Sequence, residues 1–293
     1  MLFADDTQLY ITCKNPSTVK DAIELCIDDI RKWMRDNLLM LNDSKTEVIY
    51  FSSRYCNSKC SPSLESLRIG DSTIETSHTV RNLGVMFDEN LTLSSHIKSI
   101  CKSASFALYK IGKIRRMLDQ NTTEKLVHAF VTSRLDSCNS LLLGVSDSEI
   151  EKLQLLQNSA ARMITGAKKF DHITPVLYSL HWLPIPKRIE FKVLLTVFKI
   201  IHGLAPSYLT DLIQPFTSRR ALRSSHELFK LDEARGRKPS EGTVYYSNRN
   251  FKYAAPKLWN LLPDSVKCAP NVEIFKRRLK THLFTVYYDS ARS

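Results

Sequence analysis

The sequence predicts an α+β protein in which short antiparallel strands and one helix lead into a mostly α-helical remainder. Three observations predict it. Up to about residue 95, short β-prone runs alternate with turn residues; beyond that point apolar residues recur at helical spacing over long stretches. Charge divides at the same place. Residues 1–95 hold 10 Lys+Arg against 14 Asp+Glu, net −4, and the remaining 198 residues hold 32 against 16, net +16. At 293 residues, with 43% hydrophobic and 25% charged residues, the chain is long enough for two domains and ordinary enough to bury a core.

The elements follow in order. Phe3 to Ile11 reads as two short strands around Asp5-Asp6. Thr18-x-x-Asp21 resembles a capping box, and Val19, Ile23, Cys26, Ile30, Trp33 and Met34 continue at helical spacing to Asp36-Asn37. After a loop at Asp43-Ser44-Lys45, Thr46 to Phe51 has strand propensity. Residues 52–63 are polar and loop-like, Gly70-Asp71 suggests a hairpin between residues 67 and 75, and one further strand is expected at Val80 to Phe87.

From Ser95 to Leu118 the residues Ile97, Ile100, Cys101, Ala104, Leu108, Ile111, Ile114 and Leu118 form one stripe. Asn121-x-x-Glu124 and Ser146-x-x-Glu149 predict two more helix starts, the second helix stopping at Gly166. Pro184 and Pro186 precede an apolar helix from Ile189 to Ile201, closed by Gly203. Residues 215–250 lack periodicity and read as a basic loop, mobile or ordered by a partner. A last basic helix is expected at Val272 to Phe284.

Several classes are disfavoured. No apolar run approaches bilayer length, and no signal peptide opens the chain. The seven cysteines lack framework or zinc spacing, which suits free thiols inside a cell, in cytoplasm or nucleus, and argues against secretion. The histidines form no HExxH pattern. An acidic head on a basic body suits a metal site beside a surface that grips a polyanion, although solvated lysine-rich faces produce the same balance.

Asp5 and Asp6 are the first candidate site. Adjacent carboxylates at a hairpin tip repel unless a cation lies among them, and magnesium prefers carboxylate and phosphate oxygens. The four letters alone favour an exposed acidic turn. Their surroundings decide the reading. FADDTQLY, WMRDNLLMLNDSKTEVIYF (33–51) and RNLGVMFDENLTLSSHI (81–97) resemble, in order and spacing, consecutive reverse-transcriptase motifs of LINE-like non-LTR retrotransposons. The resemblance continues through SRLDSCNSLLLG (133–144), LQLLQNSAARMITG (153–166), HWLPIPKRIEFK (181–192) and APKLWNLLPDSV (255–266).

The resemblance implies a partial palm at 1–94 (motifs C, D and E), a helical thumb-like bundle at 95–166 and a basic, mostly helical C-terminal region at 167–293. It makes Asp5 and Asp6 the motif C metal ligands, Asp5 the surer. Phe3 and Ala4 would lie near primer and nucleotide. Lys45 would be the motif D lysine that protonates or neutralises pyrophosphate, against the plainer reading of a surface loop lysine. Leu83 and Gly84 match the primer-grip turn. Lys98, Lys102, Lys113, Arg116, Arg219, Arg220 and Arg223 become candidates for phosphate contacts. Trp182, Trp259, Tyr245 and Tyr246 could stack on bases, with apolar packing the plainer role for the tryptophans.

The family's activity is RNA-directed DNA polymerisation, with magnesium or manganese, an RNA template, a DNA primer and deoxynucleotides. Its motifs A and B and its fingers precede the F-A-D-D turn, whereas only Met1 and Leu2 precede Phe3 here. These residues alone are therefore expected not to polymerise DNA and to leave a sheet face uncovered. The alternatives are a non-catalytic module that binds RNA or an RNA–DNA hybrid, and a degenerate transposon remnant.

Overall fold

The computed structural model describes residues 2–3, 6–12, 16–51, 66–70, 72–216, 229–233 and 249–290. It is an α+β fold that divides into two compact units, Met1–Ser95 and His96–Ser293.

In unit 1, β1 (Leu2–Phe3) pairs antiparallel with β2 (Asp6–Thr7), Phe3 opposite Asp6. Helix α1 spans Pro16–Asp36, starting at the proline, whose missing N–H suits a first turn. Strands β3 (Ser66–Ile69) and β4 (Ser72–Glu75) form the expected hairpin, with Ile69 and Leu67 fully buried. Two strand expectations need correction. Thr46 to Phe51 is not a strand: only Val48 makes a bridge, parallel to Thr76, because β propensity without a neighbouring ladder does not hold an extended run. The single strand expected at Val80 to Phe87 is a hairpin, β5 (Thr79–Asn82) and β6 (Val85–Asp88). Leu83 and Gly84 both adopt positive φ, 45° and 85°, the primed turn that fits the twist of a tight hairpin. The Asp88 carboxylate then accepts the N–H groups of Thr92 and Leu93, fixing the exit from β6.

Unit 2 is helical. Helix α2 (Ser94–Ile114) runs into a 3-10 turn at Arg115–Met117. Helix α3 (Gln120–Val127) begins earlier than the Asn121 capping box implies. Asp119 is the cap, accepting the Thr122 N–H at 3.0 Å, and hydrogen bonding from the Thr122 side chain, with that N–H, holds its carboxyl below the usual carboxylate range. A five-residue π segment, His128–Thr132, joins α3 to α4 (Ser133–Asp136). Helix α5 (Asp147–Thr165) starts after Ser146, whose side chain makes no cap bond, and ends at Gly166 with φ 74°. Then come α6 (Ile173–Ser179), α7 (Ile185–Ile201) and α8 (Ser207–Thr210). Helix α7 starts four residues earlier than expected, because Pro186 sits within its first turn rather than ahead of it. Helices α9 (Phe251–Asn260), α10 (Asp264–Lys267) and α11 (Val272–Ser290) complete the unit. The last runs six residues beyond Phe284.

The core of unit 2 lies among α7, α9 and α11, where Phe198 stacks on Phe275 at 4.1 Å and Trp259 is fully buried. Residues on both sides of Gly166 share this unit. Gln157 donates to the Leu183 carbonyl, Gln154 accepts from the Ile185 N–H, and Arg188 pairs with Asp136 at 2.9 Å. Arg188 also donates to Leu183 O and lies over the Trp182 ring. Tyr288 donates to the Trp182 carbonyl, and burial pushes its phenol up to about 12. Both tryptophans that were candidate stacking residues are therefore core.

Part of the expected loop is pinned. Pro215 bridges Leu231, Trp259 Nε1 donates to Phe229 O, and Asn260 exchanges two hydrogen bonds with the Leu231 backbone. Residues 217–228 and 234–248 lie outside the described residues. No helix among the described residues is long and apolar enough to cross a membrane.

Candidate nucleic-acid interface

The hairpin carrying the first candidate site is described only in part. Asp6 is exposed on β2, Phe3 belongs to β1 opposite it, and Ala4 and Asp5 lie outside the described residues. Among the described residues no group of three His, Cys, Asp or Glu side chains is arranged to hold a metal ion. One exposed carboxylate does not match the oxygen-rich donor set that magnesium requires, so no reaction step follows from it.

Other sequence candidates in unit 1 do come together. Gln8 Nε2, just past β2, donates to Asn82 Oδ1 at 2.7 Å, a bond across 74 residues. Asn82 is the last residue of β5, so this bond ties the Asp5-Asp6 hairpin to the strand leading into the Leu83–Gly84 turn. That turn is exposed at Leu83, and a Cβ placed on Gly84 would meet nothing within 4 Å. Lys45 ends a 3-10 turn at Asp43–Lys45 and is exposed; its amine makes no hydrogen bond or ion pair among the described residues.

Arg31, which sequence reasoning missed, holds the Lys45 turn in place. From α1 its guanidinium pairs with Asp43 at 2.6 Å and covers the β3–β4 turn so closely that a Cβ on Gly70 would lie 2.7 Å from Arg31 Cζ. Gly70, at φ 60°, is thus favoured by its conformation, and any larger residue there would also push the tip of Arg31 aside. Nearby, Asp21, Glu24, Asp28 and Arg68 line a cleft of about 640 Å3, whose acidic side suits no polyanion.

Unit 2 presents the opposite surface. Between Glu89 and Asp119 the chain carries six Lys or Arg and no Asp or Glu. Arg115 is structural: its guanidinium donates to Met163 O, Ile164 O and Leu118 O, covering carbonyls at the end of α5. The other five, Lys98, Lys102, Lys110, Lys113 and Arg116, are exposed. At 3.6 residues per turn they fall on about a third of the helix circumference, opposite the buried Ile97, Ile100, Ala104, Leu108 and Ile111. The chain matches no protein-family model, no curated protein and no solved structure.

The same basic face holds two aromatic rings that the sequence reading passed over. Phe106 and Tyr109 are 59% and 60% exposed, where core aromatics would be covered. Lys110 Nζ sits 4.5 Å from the Phe106 centroid, and Lys113 Nζ 4.7 Å from that of Tyr109. The signal was present as two overlapping F/Y-x-x-x-K pairs at helical i, i+4 spacing. Arg219, Arg220 and Arg223 lie outside the described residues. Chemically, α2 offers a row of cations at phosphate-binding reach with flat apolar surfaces between them, and no acid to repel a polyanion.

Proposed function

We propose that these 293 residues form the motif C-to-E palm, the thumb and the C-terminal section of a LINE-like RNA-directed DNA polymerase. Their own part in it is to hold an RNA template or an RNA–DNA hybrid. The carrying observation is α2 with the turn that follows it, where five exposed cations and no acid share one face. The Gln8–Asn82 bond also supports the reading, because motif C and the primer-grip turn act on one primer end in such enzymes. So do the exposed apolar side chains of unit 1, Leu25 and Trp33 on α1 among them, since a palm hairpin and helix are covered by further strands in a complete enzyme.

In that enzyme Asp5 and Asp6 would hold the metal ion, which would supply charge neutralisation at the reacting phosphate, and Lys45 would face the nucleotide phosphates. Motifs A and B are not among these residues. Primer extension on an RNA template with magnesium should therefore give no product from this chain alone; synthesis that disappears in Asp5→Asn would overturn the proposal.

A second reading, a binding module without catalysis, is favoured by the same helix. Titrating a labelled RNA–DNA hybrid at several salt concentrations separates it from a chain with no role. Affinity should fall steeply with salt, and Lys98→Glu with Lys102→Glu should weaken binding and flatten that slope. No binding at low salt would remove both readings.

A further inference from the structure

Alongside the basic face of α2, a groove of about 320 Å3 opens between α2 and α5, lined by Leu108, Tyr109, Gly112, Lys113, Ser159 and Met163. Its most telling residue is Gly112. Glycine inside a helix is less favourable than alanine, and φ here is not positive, so conformation does not demand it. Nor does packing: a Cβ at this position would meet only Met163 Cε, at an ordinary 3.5 Å. The glycine keeps a groove open that folding alone would allow to be filled.

We propose that this groove is a stacking site for an unpaired base of a single-stranded nucleic acid, with Tyr109 as the platform. The inference rests on the reading of α2 as a nucleic-acid face. The groove walls are apolar at Leu108 and Met163, which suits the flat faces of a base. Ser159 Oγ already gives its hydrogen to Leu155 O, so it faces a ligand as an acceptor for a base amino group. Lys113, at the groove edge and over the Tyr109 ring, supplies the charge for the adjoining phosphate. One helical turn back, Phe106 with Lys110 repeats the pairing, so two successive nucleotides meet the same ring-and-cation surface. A duplex, whose bases are already stacked on one another, uses the cations of this face but not the groove. That difference commits the site to single strands.

The test compares two probes on the full chain: a short single-stranded RNA carrying 2-aminopurine, and a blunt RNA–DNA hybrid of equal charge. The single strand should bind with quenched 2-aminopurine fluorescence. Tyr109→Ala and Gly112→Leu should each weaken single-strand binding about tenfold and abolish the quench, with hybrid affinity unchanged. Tyr109→Phe should retain both. Gly112→Leu replaces a poor helix former by a good one, so its melting temperature should not fall, and lost binding cannot be attributed to unfolding. Equal losses for both probes would overturn the stacking site while leaving the phosphate-binding reading intact. Displacement of the RNA by polyglutamate as effectively as by unlabelled RNA would assign the groove to an acidic peptide instead. Failure of both probes to bind at low salt would overturn the inference together with the reading beneath it.

Discussion

Among the described residues, unit 1 buries seven apolar side chains and leaves ten large ones exposed, whereas unit 2 buries thirty-six and exposes fifteen. Unit 1 also places Leu38, Leu83, Leu91 and Leu93 at positive φ, where a β-carbon is costly. The helical unit has an interior of its own, with Phe198 stacked on Phe275 and Trp259 tilted against it among three helices. The stranded unit is held instead by single polar ties: Arg31 to Asp43, Glu24 to the Arg68 N–H, Gln8 to Asn82. Two neighbouring stretches of one chain thus rely on different forces, and each should fail differently.

The largest difference should appear in the cores. Trp259→Ala removes a fully buried indole together with its hydrogen bond to Phe229 O and should cost about 3–5 kcal/mol. In the unsubstituted protein, limited proteolysis read by mass spectrometry should cut within residues 1–95 well before 96–290, because fewer buried contacts mean easier local opening. With Trp259→Ala that order should narrow or reverse. Simultaneous loss of both units from the unsubstituted protein would erase the contrast.

Next in size is Arg188, the best-connected polar side chain of unit 2. It pairs with Asp136 at 2.9 Å, donates to Leu183 O and lies over the Trp182 ring. Arg188→Ala leaves Asp136 without its partner and uncovers the indole, for an expected loss of about 2–3 kcal/mol by urea unfolding. Arg188→Lys should restore little, since an ammonium cannot reproduce the guanidinium fork across three partners. Full rescue by lysine would reduce the arrangement to simple charge.

The polar tie of unit 1 should be weaker. Arg31 and Asp43 are each about a quarter exposed, so water screens their attraction. Arg31→Ala should cost about 1 kcal/mol globally, yet it should raise hydrogen exchange locally at Gly70 and across Asp43–Lys45. Exchange unchanged at those amides would mean that Arg31 does not position the Lys45 turn.

This contrast also explains what the sequence disclosed. Helices α2, α5, α7 and α11 were legible because each buries a periodic stripe, and a stripe is written in the residues themselves. The division near residue 95 coincides with a change of charge. Unit 1 was less legible because its contacts are specific and distant. Nothing in Thr46 to Phe51 reveals that only Val48 finds a partner, and nothing adjacent to Arg31 names Asp43 or Gly70. Leucine at a primed turn hid the β5–β6 hairpin inside what reads as one strand. At the candidate interface Lys98, Lys102 and Lys113 of α2 were visible from charge, whereas Lys110 was missed. Phe106 and Tyr109 were passed over because aromatics on a helix are ordinarily core, and only their exposure marks them out. Asp5, Ala4, Arg219, Arg220 and Arg223 remain expectations of the resemblance.

The smallest effect tests whether the strain at the β5–β6 turn has a use. Leu83 sits at φ 45° with half its surface exposed, so neither conformation nor burial recommends leucine there. Asparagine tolerates that conformation and is favoured in primed turns. Leu83→Asn should therefore stabilise the hairpin by up to about 1 kcal/mol, seen as slower exchange at the Val80 and Val85 amides. If the leucine serves only the fold, nucleic-acid affinity should be unaffected. If it presents an apolar contact to a primer end, the same substitution should weaken hybrid binding while protection rises. Opposite signs from one change would separate a strained functional turn from a merely imperfect one, and unchanged exchange would show that the left-handed leucine carries no strain at all.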